Sequence, residues 1–414
     1  MSRVFVAGVS MTPFGKFLGK SVKQFTYEAV QGALTDSAIE RSQIECAFFS
    51  NTSQATMEGQ IMIPGQVALR AMGLDRIPVA NVENACASAS TAFHLAYAQI
   101  KAGLAGVALA VGAEKMYHQD RAKSFALFDG AIDVSMRDEL ILQLRELNQQ
   151  VDGDLGSKSD GSLRSVFMDV YAALAKHHMK AFGLTERQLA AVAAKNHRHS
   201  TMNPLSQYQN DMSIEQILSA RMISWPLTLP MCAPISDGAA AAVLCSEEAL
   251  KRIGIGTNRV IEVKASVLVT GSDRAANDLD NHVSRRAALK AYEAAGVGPE
   301  DMSVAEVHDA SAFAEVLHVE NLGFCSRGEG GAFSESGATA LGGRIPTNPS
   351  GGLISKGHPI GATGLGQIFE LVTQLRGEAG PRQVDGARLA IAENGGGFHG
   401  YEEAVVCSTV LGRA

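Results

Sequence analysis

The chain has 414 residues, 46% hydrophobic and 19% charged, a composition that supports two or three packed domains. Its formal net charge of −7 gives no footprint for nucleic acid, and no apolar run approaches the roughly 20 residues a membrane-spanning helix needs. Six scattered cysteines without C-x-x-C spacing argue against zinc or a disulfide framework, so no metal and no resident cofactor is expected.

The first predicted element is a strand, Val4–Val9, entered without the basic and apolar regions of a secretory leader. The tail Leu411-Gly412-Arg413-Ala414 is not a peroxisomal address, so the expected location is cytoplasmic. A helix ends over 33–39 and a strand begins at 44–49. A glycine/alanine-rich turn then opens a helix over 84–103, followed by the apolar strand Val107–Val111. About 258 residues on, the same order returns. It comprises a strand over Val260–Val269, a helix ending at 294–297, a strand over 302–307, a turn and helix over 356–376, and a strand over 387–391. Apolar strands alternating with helices predict parallel strands covered on both faces, hence an α/β fold. The chain thus divides into an N-terminal half (1–117, completed by 231–253) and a duplicated C-terminal half (254–414). The two small-residue helices are expected to lie buried between sheets. The unrepeated stretch 118–230 holds a charged helix over Met136–Gln150, a Gly/Ser/Asp loop over Asp152–Ser162 and helices around 165–200. It reads as an inserted, substrate-covering lobe.

Four motifs carry chemistry. Cys86, in Asn84-Ala85-Cys86-Ala87-Ser88-Ala89-Ser90, sits at a strand-to-helix junction where the helix dipole and free amides favour thiolate. It is either a nucleophile or a buried structural thiol. His358, in Gly357-His358-Pro359-Ile360-Gly361-Ala362-Thr363-Gly364, opens the matching helix of the second half. It is either the base for a thiol across a pseudo-twofold axis or a capping histidine. His308-Asp309 follows a strand end, where α/β sheets gather ligands, or is a satisfied polar pair. In Glu393-Asn394-Gly395-Gly396-Gly397 the glycines let backbone amides approach an oxyanion.

Together these blocks resemble thiolases over essentially the whole chain. Gly112-Ala113-Glu114-Lys115-Met116 and Ser236-Asp237-Gly238-Ala239-Ala240-Ala241 match as well. His308-Asp309, where ordinary thiolases carry Asn-Glu, resembles the sterol-carrier-protein type, as does Lys195-Asn196-His197-Arg198-His199-Ser200 leading to Asn203-Pro204. The resemblance implies two βαβαβαββ halves in a five-layer αβαβα arrangement. It implies an acyl-CoA acyltransferase that cleaves or forms a 3-ketoacyl-CoA, with coenzyme A as substrate. Cys86 would take the acyl group, His358 would activate it, and His308 with His358 would polarise the thioester oxygen. The amides of Cys86 and Gly395 would form the oxyanion hole, with Asn394 and Asp309 beside the substrate. Lys195 and Arg198 would meet the CoA phosphates under the insertion. A homodimer or homotetramer is implied, as is a small zinc-ribbon/OB-fold partner protein.

The pattern breaks at one point. Thiolases use a second cysteine as acid and base, and this chain has Glu393 and Ala310 at its two usual places. Glu393, with its pKa raised by burial, or His308 is expected to exchange the α-carbon proton instead. The alternatives are a condensing or aldolase-type enzyme on an unusual acyl-CoA, and a non-catalytic scaffold subunit.

Overall fold

The computed structural model describes residues 3–149 and 165–414, so the Asp152–Ser162 loop lies outside the described residues. The first half runs through strand β1 (Val4–Met11), helix α1 (Val22–Ser37), β2 (Cys46–Ser50), β3 (Val79–Val82), helix α2 (Ser88–Lys101) and β4 (Val107–Glu114). Helices α3 (Val166–Phe182) and α4 (Glu186–Ser200) follow, and β5 (Gly238–Ser246) returns the chain to the sheet. The second half repeats the plan with β6 (Ile261–Thr270), α5 (Val283–Ala295), β7 (Val304–Glu306) and α6 (Ala312–Asn321). It ends with α7 (Thr363–Arg376), β8 (Leu389–Gly396) and β9 (Val405–Arg413).

The nine strands form one sheet in the order β3-β2-β4-β5-β1-β6-β9-β8-β7. The duplication is visible as a mirror about the β1–β6 joint, where Phe5 pairs with Glu262 and Val6 with Ile261. An all-parallel sheet was the expectation, and the structure corrects it. Only β2–β3, β2–β4 and β7–β8 are parallel, and the other five pairings are antiparallel. A continuous apolar run reports that both faces are covered, and burial on two faces says nothing of strand direction.

Alternation along β1 shows the covering. Val4 and Val6 point to a central core with Ala89, Ala92 and Phe93 of α2, Leu365, Ile368 and Leu371 of α7, and Ala390 of β8. Phe5 and Ala7 point the other way, to Phe25, Ala29 and Ala33 of α1. On the far side of the second half, Ala288, Ala291 and Tyr292 of α5 pack on Ala265, Ile391 and Val410. Helix α1, the first half's strands, the α2–α7 pair, the second half's strands and helix α5 thus make five layers, the two strand layers being joined at β1–β6. The central pair approaches closely: a Cβ on Gly364 would stand 2.6 Å from the Ser90 nitrogen. The inserted helices α3 and α4 rest on α6 of the second half, with Ala172, Leu189 and Val192 against Phe313 and Val316. Among the described residues, no helix is long and apolar enough to cross a membrane.

Candidate active site

The chain leaves β3 and turns sharply into α2, and Cys86 stands on that turn. Ala85 is forced to φ 46°, a left-handed conformation that costs a side-chain-bearing residue about 1–3 kcal/mol. The turn is held by its neighbours. The Asn84 N–H donates to Ser88 Oγ at 2.7 Å, the Ser88 hydroxyl to the Ala85 carbonyl at 2.6 Å, and the Ala85 N–H to Glu83 at 2.6 Å.

His358 is fixed from three sides. Its peptide N–H donates to Ser236 Oγ at 2.9 Å, and its Nδ1 lies 2.7 Å from Thr363 Oγ1. The Thr363 hydroxyl donates to the Pro359 carbonyl at 3.0 Å, so it accepts from Nδ1–H. This assigns the tautomer and leaves Nε2 as the acceptor facing Cys86 Sγ at 3.2 Å. The His308 ring stands edge-on to that of His358, with centroids 5.3 Å apart. Among the described residues, neither His308 ring nitrogen has a hydrogen-bond partner.

Cys86, His308 and His358 share a cavity of about 980 Å³, whose walls include Tyr171, Phe128, Phe167 and Phe398. Burial, with the Glu114 carboxylate second, pushes the Cys86 thiol up to about 12. Burial, with Lys356 second, holds His358 down to about 3. The expectation of a thiol lowered by the helix terminus is therefore corrected: desolvation outweighs the amides, and the resting pair is thiol and neutral imidazole. The arrangement suits general-base delivery of a sulfur nucleophile.

The other expected residues fall elsewhere. Glu393 is buried behind His308 and does not line the cavity. It accepts from the His308 peptide N–H at 3.1 Å and the Ser284 hydroxyl at 2.9 Å, and burial raises it to about 7. Asn394 does not line the cavity: its Oδ1 accepts the Ser90 hydroxyl and ties β8 to α2. Gly395 pairs with Val406 and packs against Glu403, and it is Gly396 and Gly397 that face the cavity. Asp309 accepts from the Leu353 N–H at 2.6 Å and from Asn196 at 2.9 Å, bracing the fold outside the cavity wall. Lys195 is committed too, to a buried ion pair with Glu315 and to the Thr347 carbonyl at 2.8 Å. Arg198 is exposed on α4 outside the cavity wall.

Sequence reasoning missed several positions. Tyr171 and Cys232 line the cavity, the Cys232 thiol donating to the Thr228 carbonyl at 3.4 Å. The two supporting blocks are braces: Glu114 accepts from the Gly361 N–H at 2.8 Å, and Asp237 from Met116 and Tyr117 N–H, each at 2.7 Å. A glutamate in a Gly-Ala-Glu run carried the signal for the first. Nothing local distinguished Tyr171 from a core aromatic.

The chain also has relatives. The family model "Thiolase, N-terminal domain" matches residues 4–217, and "Thiolase C-terminal domain-like" matches 267–409. The chain is 37% identical over 403 residues to sterol carrier protein 2 of Rattus norvegicus, covering 95% of this chain and 70% of that one. It is 36% identical over 405 residues to the acetyl-CoA acetyltransferase of Methanothermobacter thermautotrophicus, covering 97% and 98%. A solved Ltp2-ChsH2(DUF35) aldolase superposes with a TM-score of 0.78 at 21% identity, over 100% of this chain and 98% of that one, which shows the shared fold. A nucleophile turn, a glycine-set histidine and a duplicated five-layer frame coincide with these matches. The chain belongs to the thiolase family and is an acyltransferase enzyme.

Proposed function

We propose that this enzyme carries an acyl group on Cys86 and cleaves, more often than it forms, the carbon–carbon bond of a 3-ketoacyl-CoA. The observation that carries the reading is the 3.2 Å approach of His358 Nε2 to Cys86 Sγ on the cavity floor, with Nδ1 tied to Thr363. As sulfur attacks the 3-oxo carbon, the thiol proton passes to Nε2. The tetrahedral oxyanion is received by amides at the Cys86 turn and the Gly396–Gly397 wall. Collapse leaves the acyl group on Cys86 and the two-carbon CoA enolate, which needs a proton. The CoA thiol then takes the acyl group, and Cys86 recovers its proton from His358.

The aromatic wall favours a bulky, branched or ring-bearing acyl group over a short one. The edge strand β3, with Ala80 and Asn81 exposed, is the proposed surface for a homodimer. The aldolase-type reading is favoured by Ala310 at the place of the second cysteine, and a fold neighbour is a DUF35-bearing aldolase. A small partner of that kind is proposed on the same ground. The test is intact mass after incubation with acetoacetyl-CoA. An acyl adduct is expected on the wild-type chain and none on Cys86→Ala; no adduct with any acyl-CoA points to the aldolase or scaffold reading.

A further inference from the structure

Behind His308 lies a group of titratable side chains that acyl transfer does not use. His308 follows β7, His318 sits on α6, and Glu403 stands in the turn before β9. One ring nitrogen of His308, one of His318 and one carboxyl oxygen of Glu403 lie within 4.8 Å of one another, all on buried side chains. Both nitrogens of both rings and Oε2 of Glu403, five atoms in all, have no hydrogen-bond partner among the described residues. Each such buried atom costs about 1–3 kcal/mol, and dense groups of this kind are retained where they do chemistry.

Glu393 is not the free acid, because the Ser284 hydroxyl and the His308 peptide N–H occupy its two oxygens. Glu403 is freer. Its Oε1 lies 3.8 Å from His318 Nε2 and its Oε2 3.7 Å from His282 Nε2, gaps that a small rotation closes. His282 Nδ1 accepts the Ser284 N–H at 3.2 Å, so its Nε2–H faces Glu403. On the cavity side His308 faces His358, Cys86 and Tyr171. Behind it stand His318, Glu393 and Glu403, and beyond them His282, Arg274 and Glu402.

Resting on the thiolase reading above, we propose that Glu403 holds the α-carbon proton for His308, doing the work of the absent second cysteine, while His318 positions its carboxyl. In cleavage, the enolate carbon takes the N–H proton of His308 as the Glu403 carboxylic acid protonates the other ring nitrogen. A C–H bond forms, the imidazole stays neutral, and Glu403 is left as carboxylate. The incoming CoA thiol reverses this: its proton goes to His308, and His308 returns one to Glu403. Burial supports both states, raising Glu403 above the ordinary carboxylate range and holding His308 well below a free imidazole. Glu403 never touches substrate, so it is a positioning residue that acts through His308.

Deuterium exchange at the α-carbon of acetyl-CoA in D2O, read by mass, isolates the proton step. Exchange needs the Glu403 carboxylate, so in the wild-type protein it rises with pH through the titration of that group. Glu403→Gln is expected to lower the ratio of exchange to Cys86 acylation roughly 100-fold and to abolish that rise. His318→Gln is expected to displace the rise along the pH axis, and it decides the matter where Glu403→Gln does not fold. A wild-type ratio in Glu403→Gln, or an unmoved pH profile in His318→Gln, overturns the proposal. So does loss of exchange in Cys232→Ala, or a stoichiometric divalent metal in the purified protein, which would occupy these atoms. Failure of the wild-type chain to form any acyl adduct overturns the thiolase reading instead, and exchange still judges Glu403.

Discussion

Lys195 separates a phosphate-binding role from a structural one. Its ammonium pairs with Glu315 on α6 and donates to the Thr347 carbonyl at 2.8 Å, with side chains 8% and 0% exposed. The other Glu315 oxygen accepts from Asn196 at 2.8 Å and Asn348 at 2.7 Å, so the carboxylate is held in place when the lysine goes. Lys195→Met keeps most of the side chain's apolar length and removes the charge. Breaking a buried pair from one side leaves the remaining charge uncompensated, at about 3–5 kcal/mol. A melting temperature lower by roughly 3–6 °C is expected. The KM for acetyl-CoA relative to acetyl-pantetheine should not move, because the ammonium is remote from the cavity wall. A variant as stable as wild type, with a raised KM for the CoA substrate alone, would refute the reasoning and return Lys195 to the phosphates.

The remaining predictions bear on the nucleophile, its spacing and acid stability. Because Cys86 is pushed up to about 12 and His358 down to about 3, its alkylation by iodoacetamide should climb steadily from pH 6 to 9 in about tenfold steps; a plateau across that range would mean a resting ion pair. Gly364→Ala puts a Cβ 2.6 Å from the Ser90 nitrogen, so it should part α2 from α7 and lower acylation at least tenfold alongside a loss of stability; wild-type acylation counts against the close-packed pair. His358 and His199 each have a folded pKa of about 3, below the unfolded value near 6.5. Their contribution is complete above the unfolded pKa and is lost as pH falls toward 3, at about 1.4 kcal/mol per unit for each. Glu393, raised to about 7, opposes them between its ordinary value and 7. Burial lowers eight histidines in all and raises five carboxyls, so the melting temperature should be lower at pH 5.5 than at pH 8, and the reverse order would show that the histidines are not buried neutral.

Cys86, His308 and His358 were legible because each is marked locally, by a strand end or by glycines that only a close approach requires. The duplication then set Cys86 and His358 on matching helices. Lys195 and Arg198 were not legible. A basic run at a helix end looks the same whether it faces solvent, a ligand or a carboxylate, and the partner that decides for Lys195 is Glu315, on another helix. Strand direction was lost for a similar reason, since coverage and not orientation sets the apolar pattern. Glu403 and His318 carry no local mark at all: they become a group only when α6, β7 and the turn before β9 meet.

The misplacement of Asn394 and Gly395 has a more instructive cause, which is the two-residue period of a strand. On β8, Asn394 and Gly396 face inward, toward Ser90 and toward Asn84 and Ala87 at the nucleophile turn. Glu393 and Gly395 face outward, toward Ser284 and toward Glu403. A reading by motif treats the Glu-Asn-Gly-Gly-Gly block as one unit beside the substrate, whereas the pleat assigns alternate residues to different tasks. Inward positions let the Cys86 turn approach and leave amides at the cavity. Outward positions border the carboxyl and imidazole group behind His308. The strand is thus a partition between the Cys86 turn and the carboxyl and imidazole group behind His308. His308, whose ring enters the cavity while its peptide N–H is held by Glu393, is the link across it. If Glu403 supplies the second acid as proposed, it does so from the far side of this partition and asks no change of the nucleophile turn, which fits an intact Cys86 beside a missing second cysteine.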